Sequence, residues 1–257
     1  MKILNTGFDF NQFTEKLNRR SYRLIGLDYD GTLAPFQDDP SMAVPYPGVC
    51  EQLNKIIDNP LNRLVIISGR WTKSLIPLLN LKKRPEIWGS HGLERMKPDG
   101  TSETIPMTQK ALKGLSDASD WLTSSELRLR PEKKPGCLAL HWRGLDNKQI
   151  QNESAIAAAQ LQDIAKSSGL VLHKFDGGME LRVPGRDKGD VMQTLISEME
   201  ENILTVYLGD DYTDEDAFRA IKGHGISVLV RSEFRETSAD IWLKPPAEML
   251  DFLSLFS

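Results

Sequence analysis

Short, continuous apolar runs recur along this chain, and each run ends beside polar or turn residues. The runs lie at 24–27, 64–67, 204–208, 226–230 and 241–243. They are too short for buried helices and too uninterrupted for half-exposed strands, so they predict a parallel sheet that is covered on both faces. Patterns typical of helices lie between them, at 49–59, 72–79, 188–200 and 214–221. This alternation predicts a doubly wound α/β domain.

The segment from 107 to 183 has a different pattern. Two stretches typical of strands, CLALHWR and GLVLHKF, flank an amphipathic helical pattern at 147–168 that is rich in Ala and Gln. We therefore expect an inserted α+β domain at 107–183, within a discontinuous core formed by 1–106 and 184–257. The loops at 104–107 and 183–185 are the expected hinges.

Charge and composition narrow the classes of partner. The chain has 32 basic and 36 acidic residues and a pI of about 5.7, so neither nucleic acid nor an anionic membrane is expected to bind it. A local basic pocket for a small anionic substrate is compatible with this total. Two cysteines are too few for a disulfide framework, and we expect neither a signal peptide nor a membrane span. We expect a cytoplasmic monomer.

Polar clusters follow the predicted strands at their carboxyl ends. The clusters are Asp28-Tyr29-Asp30-Gly31-Thr32, Ser68-Gly69-Arg70 and Gly209-Asp210-Asp211, and a fourth, Arg186-Asp187-Lys188-Gly189, opens a predicted helix. Ligands of open α/β sheets bind at this edge. Carboxylates for a hard cation, a lysine, hydroxyls and helix-start amides are the groups that phosphoryl transfer requires.

Each cluster also has a simpler interpretation. Asp28 and Asp30 could belong to a calcium loop, but an EF-hand has its glycine at loop position six and is flanked by helices. They could also form an ordinary Asp-Gly turn, as Ser68 and Gly69 could form a turn and Lys188 could be a solvated lysine. The acidic run after Asp211 fits a helix start, with Thr213 as the expected N-cap and Glu215 in a structural role.

The motifs DYDGT, SGR, the lysine of RDKGD and GDDYTDEDAF occur in the order found in the haloacid dehalogenase (HAD) superfamily of phosphatases. The resemblance covers about 22–252. Within it, GSHGLER, EKKPGCLALHWR and MELRVPGRDKG resemble trehalose-6-phosphate phosphatases, although HWR replaces the commoner HYR. This resemblance implies a HAD-like Rossmannoid core with an inserted, mobile cap domain.

The resemblance also implies the roles of individual residues. Asp28 would be the nucleophile, Asp30 the general acid and base, and Lys188 the cation that offsets charge on the reacting groups. Mg²⁺ would be held by Asp28, the backbone carbonyl of Asp30 and Asp210, with Asp211 and Asp214 supporting its waters or Lys188. The residues expected to bind phosphate are Thr32, Ser68, Gly69 and Arg70. Those expected to bind the sugar are His91, Glu132, Lys134, Arg143 and Glu180.

The implied activity is Mg²⁺-dependent hydrolysis of trehalose 6-phosphate through an aspartyl-phosphate. The same chemistry could instead act on another phosphorylated glycoside, such as glucosylglycerol phosphate or a glycosylglycerate phosphate, or the protein could be a phosphosugar mutase. A non-catalytic sugar-phosphate sensor is the candidate from a different functional class. Zinc is not expected, because no His or Cys pair has the spacing of zinc ligands.

Overall fold

The computed structural model describes residues 1–19, 22–37, 39–142, 144–175, 177–199 and 203–257. The strands are β1 (Lys2–Ile3), β2 (Arg23–Leu27), β3 (Asn62–Ile67), β4 (Glu86–Gly89), β5 (Glu94–Met96), β6 (Ser102–Thr104), β7 (Arg130–Lys134), β8 (Cys137–His141), β9 (Val171–Phe175), β10 (Gly178–Arg182), β11 (Leu204–Gly209), β12 (Gly225–Val230) and β13 (Ile241–Leu243). The α-helices are α1 (Phe10–Asn18), α2 (Val49–Asp58), α3 (Thr72–Leu75), α4 (Gln109–Ser124), α5 (Asn147–Ser168), α6 (Lys188–Ser197), α7 (Glu215–Ala220) and α8 (Ala247–Ser254).

The described chain forms two compact units. The first, here called the core unit, consists of Met1–Glu103 and Arg186–Ser257. The second, here called the inserted unit, is Thr104–Gly185. No helix in the described ranges combines the length and the apolar character that crossing a bilayer requires.

The large sheet has the strand order β1-β13-β12-β11-β2-β3-β4-β5-β6. The strands from β13 to β4 pair in parallel, whereas β1 and β5 pair antiparallel at either side. All five predicted apolar runs lie in this parallel part. The prediction of a doubly wound α/β fold is confirmed.

Both faces of the large sheet are covered, which is why its strands are continuously apolar. On β2, Ile25 joins a cluster with residues of α1, α2 and α8, while Leu24 joins a second cluster with residues of α6 and α7. Both side chains are fully buried. Burial of each stabilises the fold by about 1.5–3 kcal/mol, and it fixes the strand ends that carry the polar residues.

The smaller sheet belongs to the inserted unit and has the antiparallel order β7-β8-β10-β9. Along β8 and β10, apolar side chains that face the helices alternate with residues of the other face, and residues of both faces are buried from Cys137 to Leu140 and from Gly178 to Leu181. Leu138, Leu140, Met179 and Leu181 pack with buried residues of α4 and α5. Helix α5 begins at a capping box formed by Asp146 and Gln149, which agrees with the helix predicted there.

Three local predictions differ from the structure. The helix predicted at 72–79 stops at Leu75 and continues as a 3₁₀ turn, Ile76–Leu78, because Pro77 has no N–H for an α-helical bond. The helix predicted at 188–200 ends at Ser197, and residue 200 lies outside the described part. Thr213 is not an N-cap: it lies inside the 3₁₀ turn Tyr212–Asp214, which Asp211 caps instead.

Candidate active site

Parallel register brings the predicted polar clusters to one edge of the large sheet. Leu27, the last residue of β2, lies opposite Ile66 of β3 and Leu208 of β11. The residues that follow these strands therefore leave the sheet side by side. The Asp28 amide donates to the Leu208 carbonyl at 2.9 Å, which extends the ladder by one residue.

Lys188 lies between two carboxylates. Its Nζ is 2.8 Å from Asp28 Oδ1 and 2.7 Å from Asp214 Oδ1. All three side chains are buried. Lys188 is the first residue of α6, where the helix dipole disfavours a cation. The two carboxylates outweigh that effect because they are in direct contact with the ammonium group.

Burial perturbs the protonation of this group. Burial raises the pKa of Asp28 to about 7, against the opposing effect of the Lys188 charge. Burial alone would lower the pKa of Lys188, but the charges of Asp214 and Asp28 prevail and hold it above its usual value. Lys188 therefore stays an ammonium ion. A carboxylate with a perturbed pKa at a strand end is typical of a catalytic group.

Asp214 is fully occupied by protein contacts. Its Oδ1 accepts from Lys188 Nζ and from the Tyr207 hydroxyl at 2.6 Å, and its Oδ2 accepts from the amides of Asp210 and Asp211 at 3.0 and 2.9 Å. It has no solvent exposure. Asp214 thus fixes both Lys188 and the loop that carries Asp210.

Asp210 differs from Asp214, because its Oδ1 is buried and makes no hydrogen bond with the described residues. Burial, followed by the charges of Asp28 and Asp214, raises its pKa to about 10. Carboxylate oxygens of these three aspartates lie within 4.8 Å of one another. An all-oxygen set of buried acids with one unpartnered atom fits a hard divalent cation, which would offset their mutual repulsion.

Gly31 makes room for this acidic cluster. Its φ is +78°, and a Cβ at this position would overlap the Asp210 carboxylate. Glycine is therefore required at position 31 for two reasons: the turn needs a positive φ, and the Asp210 carboxylate lies too close for a side chain.

Asp30 is held by Arg70. Nε and Nη2 of the guanidinium each donate to a different carboxylate oxygen of Asp30 at 2.7 Å, and Nη1 donates to the Pro40 carbonyl at 2.7 Å. Arg70 also lies 5.5 Å from the centre of the Tyr29 ring. The sequence predicts a phosphate-binding role for Arg70. In the structure the guanidinium of Arg70 instead donates hydrogen bonds to both carboxylate oxygens of Asp30.

The remaining predicted phosphate ligands lie close to the same edge. Thr32 and Ser68 are buried, and Thr32 Oγ1 has no hydrogen-bond partner among the described residues. Ser68 Oγ accepts from the Arg70 amide at 3.1 Å. The His91 ring packs against Gly69, so that a Cβ on Gly69 would lie 2.6 Å from His91 Cε1.

The segment that carries His91 is strained. Ser90 and His91 have φ values of +50° and +57°, which residues with side chains rarely adopt. Their amides donate to the carbonyls of Arg70 and Ser68, which hold the segment against the loop after β3. Strain of this kind persists where surrounding contacts fix it and is common at functional sites.

The predicted sugar ligands of the inserted unit form their own cluster. Lys134 Nζ is 3.8 Å from Glu132 Oε2 and 4.0 Å from Glu180 Oε2. Glu132 is half-exposed, whereas Glu180 is nearly buried. Arg143 lies outside the described residues.

Arg235 was not predicted from the sequence. It donates to the carbonyls of Asp210 and Asp211 at 3.1 and 2.7 Å and to the Glu215 carboxylate at 2.5 Å. Glu215, the first residue of α7, also accepts hydrogen bonds from Ser238 and Thr237. It therefore connects α7 to the segment that carries Arg235, Thr237 and Ser238. No motif signals Arg235, which is brought to the acidic loop only by the fold.

Comparisons with known proteins point to one family. A family model described as trehalose-phosphatase matches residues 26–244. Trehalose-phosphate phosphatase B of Arabidopsis thaliana is 27% identical, with 95% of this chain and 69% of the relative covered. Trehalose-phosphate phosphatase of Mycobacterium marinum is 30% identical, with 89% of this chain and 60% of the relative covered, so the chain spans well under the full length of both. The C-terminal domain of C. albicans trehalose-6-phosphate phosphatase has a TM-score of 0.80 at 22% identity, covering 100% and 99% of the two chains, which shows a shared fold.

Proposed function

This chain belongs to the trehalose-phosphatase family, and we propose that it hydrolyses trehalose 6-phosphate to trehalose and phosphate with the aid of Mg²⁺. One observation carries the proposal. A buried carboxylate at a strand end, Asp28, touches a buried ammonium group, Lys188, beside a second buried acid, Asp210, that has an unpartnered oxygen among the described residues. A nucleophile, a fixed cation and a site for a metal ion thus occupy one edge of the sheet.

Asp28 is the proposed nucleophile. A carboxylate oxygen attacks phosphorus, the new O–P bond forms an aspartyl-phosphate, and the bond from phosphorus to the sugar oxygen breaks. Lys188 supports this step because its ammonium group is in contact with Asp28 and offsets negative charge on the phosphoryl group. Asp214 keeps Lys188 in place.

Asp30 is the proposed general acid and base. It gives a proton to the departing sugar oxygen and then takes one from the water that attacks the aspartyl-phosphate, which releases phosphate and restores Asp28. The bidentate contact with Arg70 fixes the direction of the Asp30 carboxylate, and one oxygen has to leave the guanidinium before it can carry the proton for the sugar.

We propose Mg²⁺ as the cation of this site, held by Asp28, the carbonyl of Asp30 and Asp210. The buried Asp210 oxygen, unpartnered among the described residues, and the raised pKa of its carboxyl group support this assignment. When bound, the ion would neutralise the acids and polarise the phosphoryl group. Thr32, Ser68 and the amides of Gly69 and Arg70 are the proposed ligands of the phosphoryl oxygens.

We place the choice of sugar in the inserted unit, which is the proposed cap. Nothing in the core motifs distinguishes one glycoside from another. Glu132, Lys134 and Glu180 can bind vicinal hydroxyls, because carboxylates accept and an ammonium group donates hydrogen bonds. His91 and Arg143 complete the proposed set. A cap that closes on the substrate would also exclude water from the reaction.

Phosphate release across a panel of phosphomonoesters tests this function. The panel contains trehalose 6-phosphate, glucosylglycerol phosphate, a glycosylglycerate phosphate and p-nitrophenyl phosphate, each with Mg²⁺ and with chelator. We expect chelator-sensitive release with the highest kcat/KM on trehalose 6-phosphate. A higher kcat/KM on another phosphorylated glycoside would replace trehalose 6-phosphate as the proposed substrate. Retention of the phosphoryl group on the sugar would indicate a mutase. No phosphate release from any ester would indicate a non-catalytic sensor.

We further propose that the protein acts in the cytoplasm as a monomer. The excess of acidic over basic residues supports a small-molecule partner rather than nucleic acid or a membrane.

A further inference from the structure

One face of the small sheet carries a row of polar side chains. The opposite face is taken up by apolar residues that pack against α4 and α5. Because side chains alternate along a strand, the other face holds the remaining positions of each strand. It includes Glu132 and Lys134 of β7, Cys137 and His141 of β8, and Glu180 and Arg182 of β10.

Glu132 and His141 contact each other across β7 and β8. Glu132 lies opposite Ala139, and His141 lies two residues further along, so the two form a diagonal pair. His141 Nε2 is 2.9 Å from Glu132 Oε2. An ionised carboxylate only accepts hydrogen bonds, so Nε2 carries the proton that this contact requires. The imidazole therefore donates to Glu132.

Phe175 fixes the other side of the imidazole. Gly178 pairs with His141 on one side and with Phe175 on the other, so these three residues form one row across the sheet. A Cβ on Gly178 would overlap the Phe175 ring, which therefore extends across the glycine. The Phe175 ring meets His141 edge to face, with ring centres 5.5 Å apart and an interplanar angle of 63°.

The two carboxylates of this face differ in how they are held. Glu180 is nearly buried, and it accepts from Arg182 Nη1 at 3.2 Å and from Cys137 Sγ at 3.4 Å. Glu132 is 38% exposed and is reached by solvent. A half-exposed glutamate loses rotamer freedom when a ligand fixes it, and this loss weakens binding unless the protein has already fixed the side chain.

We infer that His141 is a positioning residue for sugar recognition: it holds the Glu132 carboxylate in a single orientation, and Phe175 holds the imidazole. The inference rests on the proposed function, in which Glu132 accepts hydrogen bonds from sugar hydroxyls. His141 itself needs no contact with the substrate. Its effect is confined to substrates that reach Glu132.

Two substitutions separate the hydrogen bond from the shape of the ring. His141→Phe keeps an aromatic ring beside Phe175 but lacks the donor, and His141→Gln places an amide N–H near the position of Nε2. We expect His141→Phe to lower kcat/KM for trehalose 6-phosphate about tenfold, mainly through KM, and His141→Gln to recover most of the loss. Turnover of p-nitrophenyl phosphate should change less than about twofold, since this small ester does not reach Glu132. His224→Phe, at an exposed position of the core unit, is the matched control with no expected effect.

A double-mutant cycle with Glu132→Ala is the decisive test. If His141 acts through Glu132, His141→Phe has no further effect once Glu132 is alanine. Phe175→Leu provides a second route if His141→Phe does not fold. It should lower kcat/KM for trehalose 6-phosphate about threefold by loosening the imidazole, and it too should have no effect beside Glu132→Ala.

The inference is overturned if His141→Phe retains parental kcat/KM, if its loss persists in full beside Glu132→Ala, or if His141→Gln is no better than His141→Phe. These outcomes leave the proposed function intact as long as the parent hydrolyses trehalose 6-phosphate. If the parent prefers another phosphorylated glycoside, the same cycle is run on that substrate. A parent that hydrolyses no phosphorylated glycoside overturns both.

Discussion

Replacement of Arg70 by alanine separates two roles for its guanidinium. In the structure, two N–H groups of Arg70 each donate to a different oxygen of Asp30 at 2.7 Å. The side chain of Arg70 is 12% exposed and that of Asp30 is 27% exposed, so solvent screens the pair only in part. Hydrogen bonds to a charged group are worth about 1.5–3 kcal/mol, which corresponds to about 10- to 150-fold in rate if Asp30 loses its orientation.

The leaving group shows whether this loss passes through Asp30. A sugar alkoxide needs protonation by Asp30, whereas p-nitrophenolate needs little. We therefore expect Arg70→Ala to lower kcat/KM for trehalose 6-phosphate about 10- to 150-fold and that for p-nitrophenyl phosphate no more than about threefold. Initial rates of phosphate release with saturating Mg²⁺ give both values. Arg70→Lys is the matched variant: it keeps the charge but cannot bind both oxygens, so it should recover little.

Two results would refute the positioning role of Arg70. Equal losses on both esters, together with weaker inhibition by inorganic phosphate, would mean that the guanidinium binds the phosphoryl group. A further large loss when Arg70→Ala is added to Asp30→Asn would mean that Arg70 acts independently of Asp30.

Further predictions concern the nucleophile, the acidic loop and the cap. Asp28→Asn should nearly abolish turnover of every ester while the protein still folds; undiminished turnover by protein of verified mutant mass would exclude Asp28 as the nucleophile. Burial would raise the pKa of Glu215, but hydrogen bonds from Ser238, Thr237 and Arg235 hold this pKa below its usual 4.5. Ionised Glu215 therefore stabilises the fold above pH 4.5, and this contribution is lost as the pH falls through the pKa of Glu215 in the folded protein. Glu215→Gln should thus lower the melting temperature at pH 7 by a few degrees and flatten its acid dependence; identical acid profiles would contradict this. Glu132→Ala, Lys134→Ala and Glu180→Ala should each lower kcat/KM for trehalose 6-phosphate about ten- to a hundredfold with little change on p-nitrophenyl phosphate, and equal losses on both esters would count against the cap assignment.

The parallel sheet was predictable because its strands are buried on both faces and therefore appear as uninterrupted apolar runs. Strand β4 was not predicted, because its four residues begin with Glu86. That carboxylate is tolerated at 5% exposure because Arg63 binds one of its oxygens and Arg95 and Trp88 Nε1 bind the other. The two arginines lie on other strands, so the local pattern around Glu86 gives no sign of them.

Helix α4 was missed for a different reason. Its sequence, QKALKGLSDASDWLTS, contains a glycine and several serines and aspartates, which weaken the helical pattern. Thr108 caps the helix, and Gly114 lies so close to Ser168 of α5 that a side chain would not fit. Gly114, which weakens the helical pattern in the sequence, therefore also allows α4 and α5 to pack closely.

The candidate site shows the same division. Asp28, Asp30, Lys188 and Asp210 could be proposed because they stand in motifs at strand ends and at a helix start. The pairing of each carboxylate with its cation could not be predicted from the sequence, because it depends on the register of β2, β3 and β11 and on the path of the loops. Asp214 illustrates this: the resemblance left open whether it would support the metal's waters or Lys188, and in the structure it contacts Lys188 and the amides of the Asp210 loop.

The charge balance of the site yields the last prediction. Three buried carboxylates, Asp28, Asp210 and Asp214, face one buried ammonium group, Lys188, so full ionisation of the cluster needs a further cation, in keeping with the raised pKa values of Asp28 and Asp210. Binding of Mg²⁺ should therefore stabilise the protein even without substrate. An ion present at a hundred times its Kd contributes about 2.7 kcal/mol, roughly 5–10 °C in melting temperature for a chain of this size. Thermal unfolding with increasing Mg²⁺ measures the shift, and inorganic phosphate should add to it only when Mg²⁺ is present. Asp210→Asn keeps the shape of the side chain but removes one charge at the oxygen that has no partner among the described residues, so it should lose most of the shift. A parent protein whose melting temperature is unaffected by Mg²⁺, or an Asp210→Asn variant that responds as strongly as the parent, would refute the metal assignment.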